Sequence, residues 1–265
     1  EHANGCGIEQ LRSAAVEVQT GVCEAEAKLL NAPFIKFAKT GRCWVVLKWA
    51  QSIDGRVAWA DRTDGRKWIS NELSRKDAHK LRRRAGGILV GIGTVLADDP
   101  LLTARPGRKG KQPTRIVLDS HLRIPVDCKL LATAKKTPLL ILTSEETAQT
   151  NPQVAEKITQ KGAELLAYPD TQGKSNLYFL LDELSRRGIT QLLVEGGPTV
   201  ITSFLKERLA DEICVYIAPQ ILGAQGSVDI VGPMAELTEA VGLHYVDIER
   251  FGDDICLTGL LSSLL

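Results

Sequence analysis

The chain has 265 residues, 44% apolar and 25% charged, with a formal net charge of +1. That is enough apolar material for one large or two modest globular domains. The near-zero charge argues against a global basic field for nucleic acid or an anionic membrane surface, and no apolar run approaches the roughly 20 residues of a membrane span.

No secretory leader is visible, although the chain opens at Glu1 without a methionine. Of Cys6, Cys23, Cys43, Cys128, Cys214 and Cys256, no two have zinc-knuckle spacing. Cys214 and Cys256 fall in apolar strand-like runs and read as buried thiols, a pattern that suits a reducing cytoplasm.

Residues 1–42 read apart from the rest. Ile8, Leu11 and Ala15 form a short helical stripe, residues 16–18 suit a brief strand, and residues 25–37 read as a second helix. Its apolar side carries Ala25, Leu29 and Leu30. A piece this small cannot bury a core of its own. It packs on the following domain or belongs to a domain whose remainder is absent. Thr40-Gly41-Arg42 reads as the linker out of it.

The main domain begins at Cys43. Residues 44–50 form an apolar strand interrupted by Lys48. An ammonium inside a buried strand is costly unless paired, which makes Lys48 a functional candidate. The alternative is a side chain that reaches an edge and snorkels. Ser52-Ile53-Asp54-Gly55-Arg56 is a turn, residues 61–67 are a polar loop, and Trp68-Ile69 re-enters the core. Ser70 or Asn71 caps a helix running to about Arg84. Its buried stripe is Leu73, Ser74, Ala78, Leu81 and Ala85. Arg75 and Arg82 lie on one margin of that stripe, where a guanidinium can lean into a cleft and hold phosphate bidentately. Lys76, His79, Lys80 and Arg83 point outward.

The next buried strand, residues 86–91, ends in Gly91-Ile92-Gly93-Thr94, which leaves backbone donors free for phosphate. Asp98-Asp99-Pro100 closes the segment. Arg105 follows, able to meet Arg82 across one pocket, and residues 106–113 form a basic loop expected to be mobile. Strands are expected at 115–118, ending at Asp119-Ser120, and at 138–143. A helix over 152–160 leads to a short strand at 163–167. An amphipathic helix over 177–187 feeds the apolar run Gln191-Leu192-Leu193-Val194.

That run ends in Glu195-Gly196-Gly197-Pro198-Thr199, after which Val200, Ile201, Phe204 and Leu205 resume helical spacing. Gly-Gly permits a tight turn and close approach of a ligand. Pro198 suits a first helical turn, and the positive end of the helix favours phosphate. Residues 212–217, 244–251 and 254–261 are strands, the last two joined by the hairpin turn Phe251-Gly252-Asp253-Asp254. The fold expected is therefore α/β, with a sheet parallel in its middle and antiparallel in its C-terminal part.

Three strand ends, at Ser120, Gly91–Thr94 and Glu195–Gly197, then gather on one sheet edge where a dinucleotide can lie. There is no Gly-x-Gly-x-x-Gly with its distant acid, so an ordinary Rossmann dehydrogenase is disfavoured. His2, His79, His121 and His244 show no ligand spacing, and no metal is expected. Hydride transfer needs orientation and a charged group to steer the acceptor, not a metal.

Several runs together resemble the reductase domain of the bifunctional riboflavin-biosynthesis deaminase/reductase. They are Val46-Leu47-Lys48 with Ser52-Ile53-Asp54-Gly55-Arg56, Lys67-Trp68-Ile69-Ser70, Gly93-Thr94-Val95-Leu96-Ala97-Asp98-Asp99-Pro100, Arg115-Ile116-Val117-Leu118-Asp119-Ser120, and Val194-Glu195-Gly196-Gly197-Pro198-Thr199. The resemblance implies a dihydrofolate-reductase-like three-layer fold over residues 43–265. Residues 1–42 resemble the tail of the preceding deaminase domain. That domain's zinc motif is absent, so no deamination is expected.

The implied reaction is NADPH-dependent reduction of a phosphoribosylaminopyrimidine, its ribose becoming a ribityl chain. By position, NADPH falls to Ala50, Trp68, Thr94, Asp98, Ser120, Gly197, Pro198, Thr199, Val200, Ile201, Thr202 and Ser203. Substrate falls to Arg66, Arg82, Leu102, Arg105 and Glu195. Lys48 and Glu195 are the implied catalytic pair, with Arg82 and Arg105 on the sugar phosphate. Arg66 stands where the family usually has serine. A homodimer through the C-terminal strands is expected. Two other readings stay open here: a dihydrofolate reductase proper with a pterin acceptor, and a catalytically silent nucleotide-binding module.

Overall fold

The computed structural model describes residues 5–61, 65–105, 112–169, 177–230, 234, 237 and 239–261. Most of the basic loop expected at 106–113 lies outside them, as does the middle of the polar loop at 61–67. The first elements are α1 (Cys6–Ser13), α2 (Glu24–Leu30), α3 (Ala32–Thr40), β1 (Trp44–Ser52), β2 (Arg56–Trp59), α4 (Glu72–Arg84), β3 (Gly87–Gly91), α5 (Ile92–Asp98) and β4 (Thr114–Leu118). The middle holds α6 (Lys129–Ala132), β5 (Leu139–Ser144), α7 (Glu145–Thr150), α8 (Pro152–Gln160) and β6 (Glu164–Tyr168). Last come α9 (Leu177–Arg186), β7 (Gln191–Val194), α10 (Pro198–Lys206), β8 (Glu212–Ala218), β9 (Gly226–Asp229), β10 (His244–Phe251) and β11 (Asp254–Leu260).

Among the described residues, nine strands form one sheet in the order β10-β11-β8-β1-β7-β3-β4-β5-β6. From β8 to β6 every neighbour is parallel. β11 joins β8 antiparallel and β10 closes that side as an antiparallel edge. The expected mostly parallel sheet with an antiparallel C-terminal part is therefore present. The inner strands read as unbroken apolar runs because both faces are covered. On one face Val46, Ile88, Val90, Val117 and Ile141 pack beneath α4, α5, α6 and α8. On the other, Val45, Leu47, Leu89, Leu140 and Leu192 pack beneath α9 and α10, with Leu180, Leu184, Ile201 and Phe204 fully enclosed. Each such side chain contributes about 2 kcal/mol by leaving water. No helix among the described residues is long and apolar enough to cross a membrane.

The N-terminal segment differs from its sequence reading. Residues 16–18 form no strand, and the helix expected over 25–37 breaks at Asn31, where Pro33 starts α3 in its first turn. α3 is docked on the sheet: Ala32 is buried, and Lys36 Nζ sits 2.6 and 2.8 Å from the Asp211 carboxylate, which also accepts the Val45 N–H. α2 turns its apolar side outward, with Leu30 83% exposed. In α4, Ser74, Ala78 and Ala85 are buried as expected, but Leu73 is half exposed. The antiparallel ribbon of β2 with β9, and the short helices α5, α6 and α7, were not anticipated.

Candidate active site

The carboxyl ends of β1, β3, β4 and β7 open into a cavity of about 930 Å³. This is the edge where parallel sheets collect ligands. Two helices begin on its wall. α5 starts after Gly91 and α10 after Gly197, and neither N-terminus has a side-chain cap. Elsewhere α4 and α7 are capped, Asn71 accepting the Ser74 N–H and Ser144 the Thr147 N–H, while α1, α2, α3, α6 and α8 also lack a side-chain cap but begin away from the cavity. The uncapped starts of α5 and α10 leave backbone donors and positive dipole ends facing the cavity.

Glycine is needed at both turns because Val200 of α10 lies against them. A Cβ on Gly91 would come within 2.9 Å of Val200 Cγ2, and one on Gly196 within 2.7 Å of Val200 Cβ. Thr202, one turn along α10, lines the same wall; it is buried, and its Oγ1 has no hydrogen-bond partner among the described residues. A narrow glycine turn and helix starts with free backbone donors fit the phosphates of a dinucleotide.

Glu195 follows β7 directly, and its backbone N–H is fixed by the Leu89 carbonyl. Its carboxylate meets the Arg82 guanidinium in a bidentate pair, Nε to Oε1 at 2.7 Å and Nη2 to Oε2 at 2.6 Å. Burial pushes the Glu195 carboxyl up, but the Arg82 charge, aided by Lys48, more than offsets this and holds it below the usual carboxylate range. Arg82 also donates to the Thr103 carbonyl at 3.2 Å. Leu102, in the left-handed region at φ 50°, shapes the turn that presents this carbonyl. Three of the five guanidinium donors are thus committed within the protein. His79, expected on the surface of α4, is instead partly buried, with Nδ1 enclosed and unpartnered among the described residues. Burial and the charges of Arg82 and Arg105 push its pKa down.

Lys48 reaches the cavity from β1. Its ammonium makes no hydrogen bond or ion pair among the described residues and lies 5.4 Å from the centroid of the Tyr216 ring. A free ammonium and an ionised carboxylate therefore line one cavity. The first can donate a proton or stabilise developing negative charge. The second has no proton to give near neutral pH and can only accept and orient.

At the mouth, Trp68 is 59% exposed and flanked by two cations. Lys67 Nζ is 5.3 Å and the Arg75 guanidinium 5.2 Å from its ring. Of the residues implied for the cofactor, Ala50, Trp68, Thr94, Asp98 and Gly197 through Ser203 line the cavity. Ser120 does not; its hydroxyl accepts Tyr168 Oη at 2.9 Å. Of the residues implied for substrate, Glu195 lines the cavity, whereas Arg66, Arg82, Leu102 and Arg105 do not. Arg66 stacks on Trp59 at 4.4 Å, and Arg105 is exposed. Cavity-lining cations that sequence reasoning passed over are Arg123 and Lys206. The first follows a strand end already noted; the second sits in the last turn of α10, where a lysine ordinarily complements the helix dipole. No group of three His, Cys, Asp or Glu side chains among the described residues is disposed to hold a metal.

Residues 43–257 match the protein family described as the RibD C-terminal domain. The riboflavin biosynthesis protein RibD of Aquifex aeolicus is 40% identical over 254 residues, 96% of this chain and 68% of that protein. Among solved structures, Acinetobacter baumannii RibD superposes with a TM-score of 0.76 at 30% identity, covering 97% of this chain and 68% of that one. A Thermotoga maritima protein described as a diaminohydroxyphosphoribosylaminopyrimidine deaminase/5-amino-6-(5-phosphoribosylamino)uracil reductase gives 0.76 at 29% identity, covering 96% of this chain and 66% of that one.

Proposed function

This chain belongs to the RibD C-terminal domain family, and we propose that it is the NADPH-dependent reductase that converts the ribose of 5-amino-6-(5-phosphoribosylamino)uracil into a ribityl chain. The observation that carries this reading is the unpaired Lys48 ammonium facing the same cavity as ionised Glu195 and the uncapped, glycine-lined start of α10. The curated relative from Aquifex aeolicus is named for riboflavin biosynthesis, and the Thermotoga structure is described as this reductase.

NADPH, when bound, supplies the hydride. Gly197 to Ser203 and Thr94 are assigned to its phosphates, and Ala50, Trp68 and Asp98 complete the cavity's share of its site; Ser120, outside the cavity lining, is assigned to it by the resemblance alone. Lys48 stands beside the reacting sugar carbon and stabilises or protonates the oxygen or nitrogen that gains charge. Glu195 accepts hydrogen bonds from the sugar hydroxyls, oriented by Arg82. Arg82, through the donors left to it, and Arg105 take the sugar phosphate, so that binding energy remote from the reacting carbon fixes its position. Leu102 holds the turn between them, and Arg66 is assigned to the same substrate. Residues 1–42 are read as the end of a deaminase domain, and the active form as a homodimer joined through the C-terminal strands.

The test follows the consumption of NADPH with the phosphoribosylaminopyrimidine as acceptor. Lys48→Ala is expected to lower turnover about a hundred-fold while leaving NADPH affinity unchanged. Equal losses in turnover and cofactor affinity would remove Lys48 from the chemistry.

A further inference from the structure

We propose that Tyr216 is the positioning residue for Lys48, its ring face holding the ammonium in place without consuming any of its hydrogen-bond donors. The inference rests on the role given to Lys48 above and adds a residue that lies outside the cavity lining.

The arrangement starts from strand register. β1 and β8 run parallel with Lys48 opposite Cys214 and Ala50 opposite Tyr216, so Lys48 and Tyr216 are diagonal neighbours on one face of the sheet. Tyr216 is 1% exposed and fixed from two further sides. Its ring packs tilted against Phe251 at 6.0 Å, and its hydroxyl donates to Asp77 Oδ2 of α4 at 2.8 Å. A phenol tied at its far end cannot swing away, so its face stays toward Lys48 Nζ, 5.4 Å from the centroid. That lies within the roughly 6 Å over which an aromatic face attracts a cation.

An ammonium in a half-buried site needs a counterpart. A carboxylate would satisfy the charge but would also occupy its N–H donors. Glu195 is near enough to feel the Lys48 charge, yet both of its oxygens are held by Arg82. The ring of Tyr216 offers attraction with no acceptor atom directed at the ammonium. All three donors of Lys48 therefore stay available to a substrate.

The experiment uses the full chain with ring-fluorinated phenylalanines at position 216. Tyr216→Phe keeps the ring; difluoro- and trifluorophenylalanine then weaken the negative face at nearly constant shape. Turnover is expected to fall stepwise, by about three- to ten-fold from phenylalanine to the trifluoro ring, with KM for substrate and NADPH unchanged. A flat series would overturn the proposal, because a ring that only fills space would not sense fluorine. A second readout needs no turnover. The side-chain methylene signals of isotope-labelled Lys48, assigned by their loss in Lys48→Arg, should carry the upfield ring-current shift of an aromatic face. The shift should persist in Tyr216→Phe and vanish in Tyr216→Leu. Its absence from the unaltered protein would also overturn the proposal. An unaltered protein that keeps the shift but does not oxidise NADPH with the substrate would instead refute the proposed reaction and leave the positioning contact standing.

Discussion

Glu195 keeps its charge because Arg82 meets both of its oxygens, in a pair whose side chains are only 10% and 18% exposed. Removing one partner from such a pair leaves the other charge buried and uncompensated. Glu195→Gln is therefore expected to cost about 3 kcal/mol near neutral pH, read from denaturant unfolding, in addition to any loss of activity. The pH dependence follows from the direction of the shift. A carboxyl held below its ordinary value of 4.5 adds stability that is fully present above that value and is lost as pH falls through the lower, folded-state value. The stability curves of the parent and Glu195→Gln should thus run apart above pH 4.5 and converge below it. A gap that stays constant down to about pH 3 would mean that Glu195 contributes through shape and not charge. Little of this pair was legible beforehand. Arg82 stood on the margin of the α4 stripe and Glu195 at a strand end, but nothing along the chain says that the two side chains meet.

At the scale of elements, two strand ends are drawn together by one helix. Val200 of α10 rests against Gly91 at the end of β3 and Gly196 after β7, and so sets the width of the phosphate-type turn. Gly196→Ala would place a methyl 2.7 Å from Val200 Cβ, so α10 must move. The expected cost is about 2 kcal/mol, together with weaker NADPH binding, measured by urea unfolding and by cofactor titration. Val200→Gly should restore cofactor binding and most of the stability in the double variant, short by about 1 kcal/mol for a glycine inside a helix, since only loss of the Val200 Cβ empties the space that the new methyl enters. Failure of that rescue would place the strain elsewhere than in the Gly196–Val200 contact. The glycine turn itself was legible, because Gly-Gly-Pro after an apolar run marks a tight turn into a helix. Its partner was not, since the approach of Val200 depends on how β3 and β7 align. The same limit explains the ribbon of β2 with β9: each strand has only four residues, and their pairing is a long-range matter. Tyr216 lies within the strand expected at 212–217 and Asp77 within the helix expected to run to Arg84, but nothing along the chain says that they meet; their contact joins an interior strand to a covering helix.

At the scale of the whole molecule, two of the apolar surfaces exposed among the described residues make different claims. One is on the N-terminal helices, where Leu30 is 83% and Phe34 70% exposed. The other is β10, the antiparallel edge of the large sheet, with Tyr245 54%, Val246 51% and Ile248 61% exposed. An edge strand carries a row of backbone groups free to pair with another chain, and apolar side chains on both of its faces raise the gain from doing so. The two-fold pairing proposed above uses this edge, because one surface then serves both copies. Sedimentation equilibrium should accordingly find a dimer at micromolar concentration. Ile248→Lys, which adds a charge in the middle of the edge, should weaken it by about ten-fold or more and leave unfolding of the protomer unchanged. Leu30→Lys is the matched control: it adds the same charge to the N-terminal helices and should leave the dimer intact. A protein that sediments as a monomer throughout, or a dimer that Leu30→Lys dissociates and Ile248→Lys does not, would move the two-fold contact off β10.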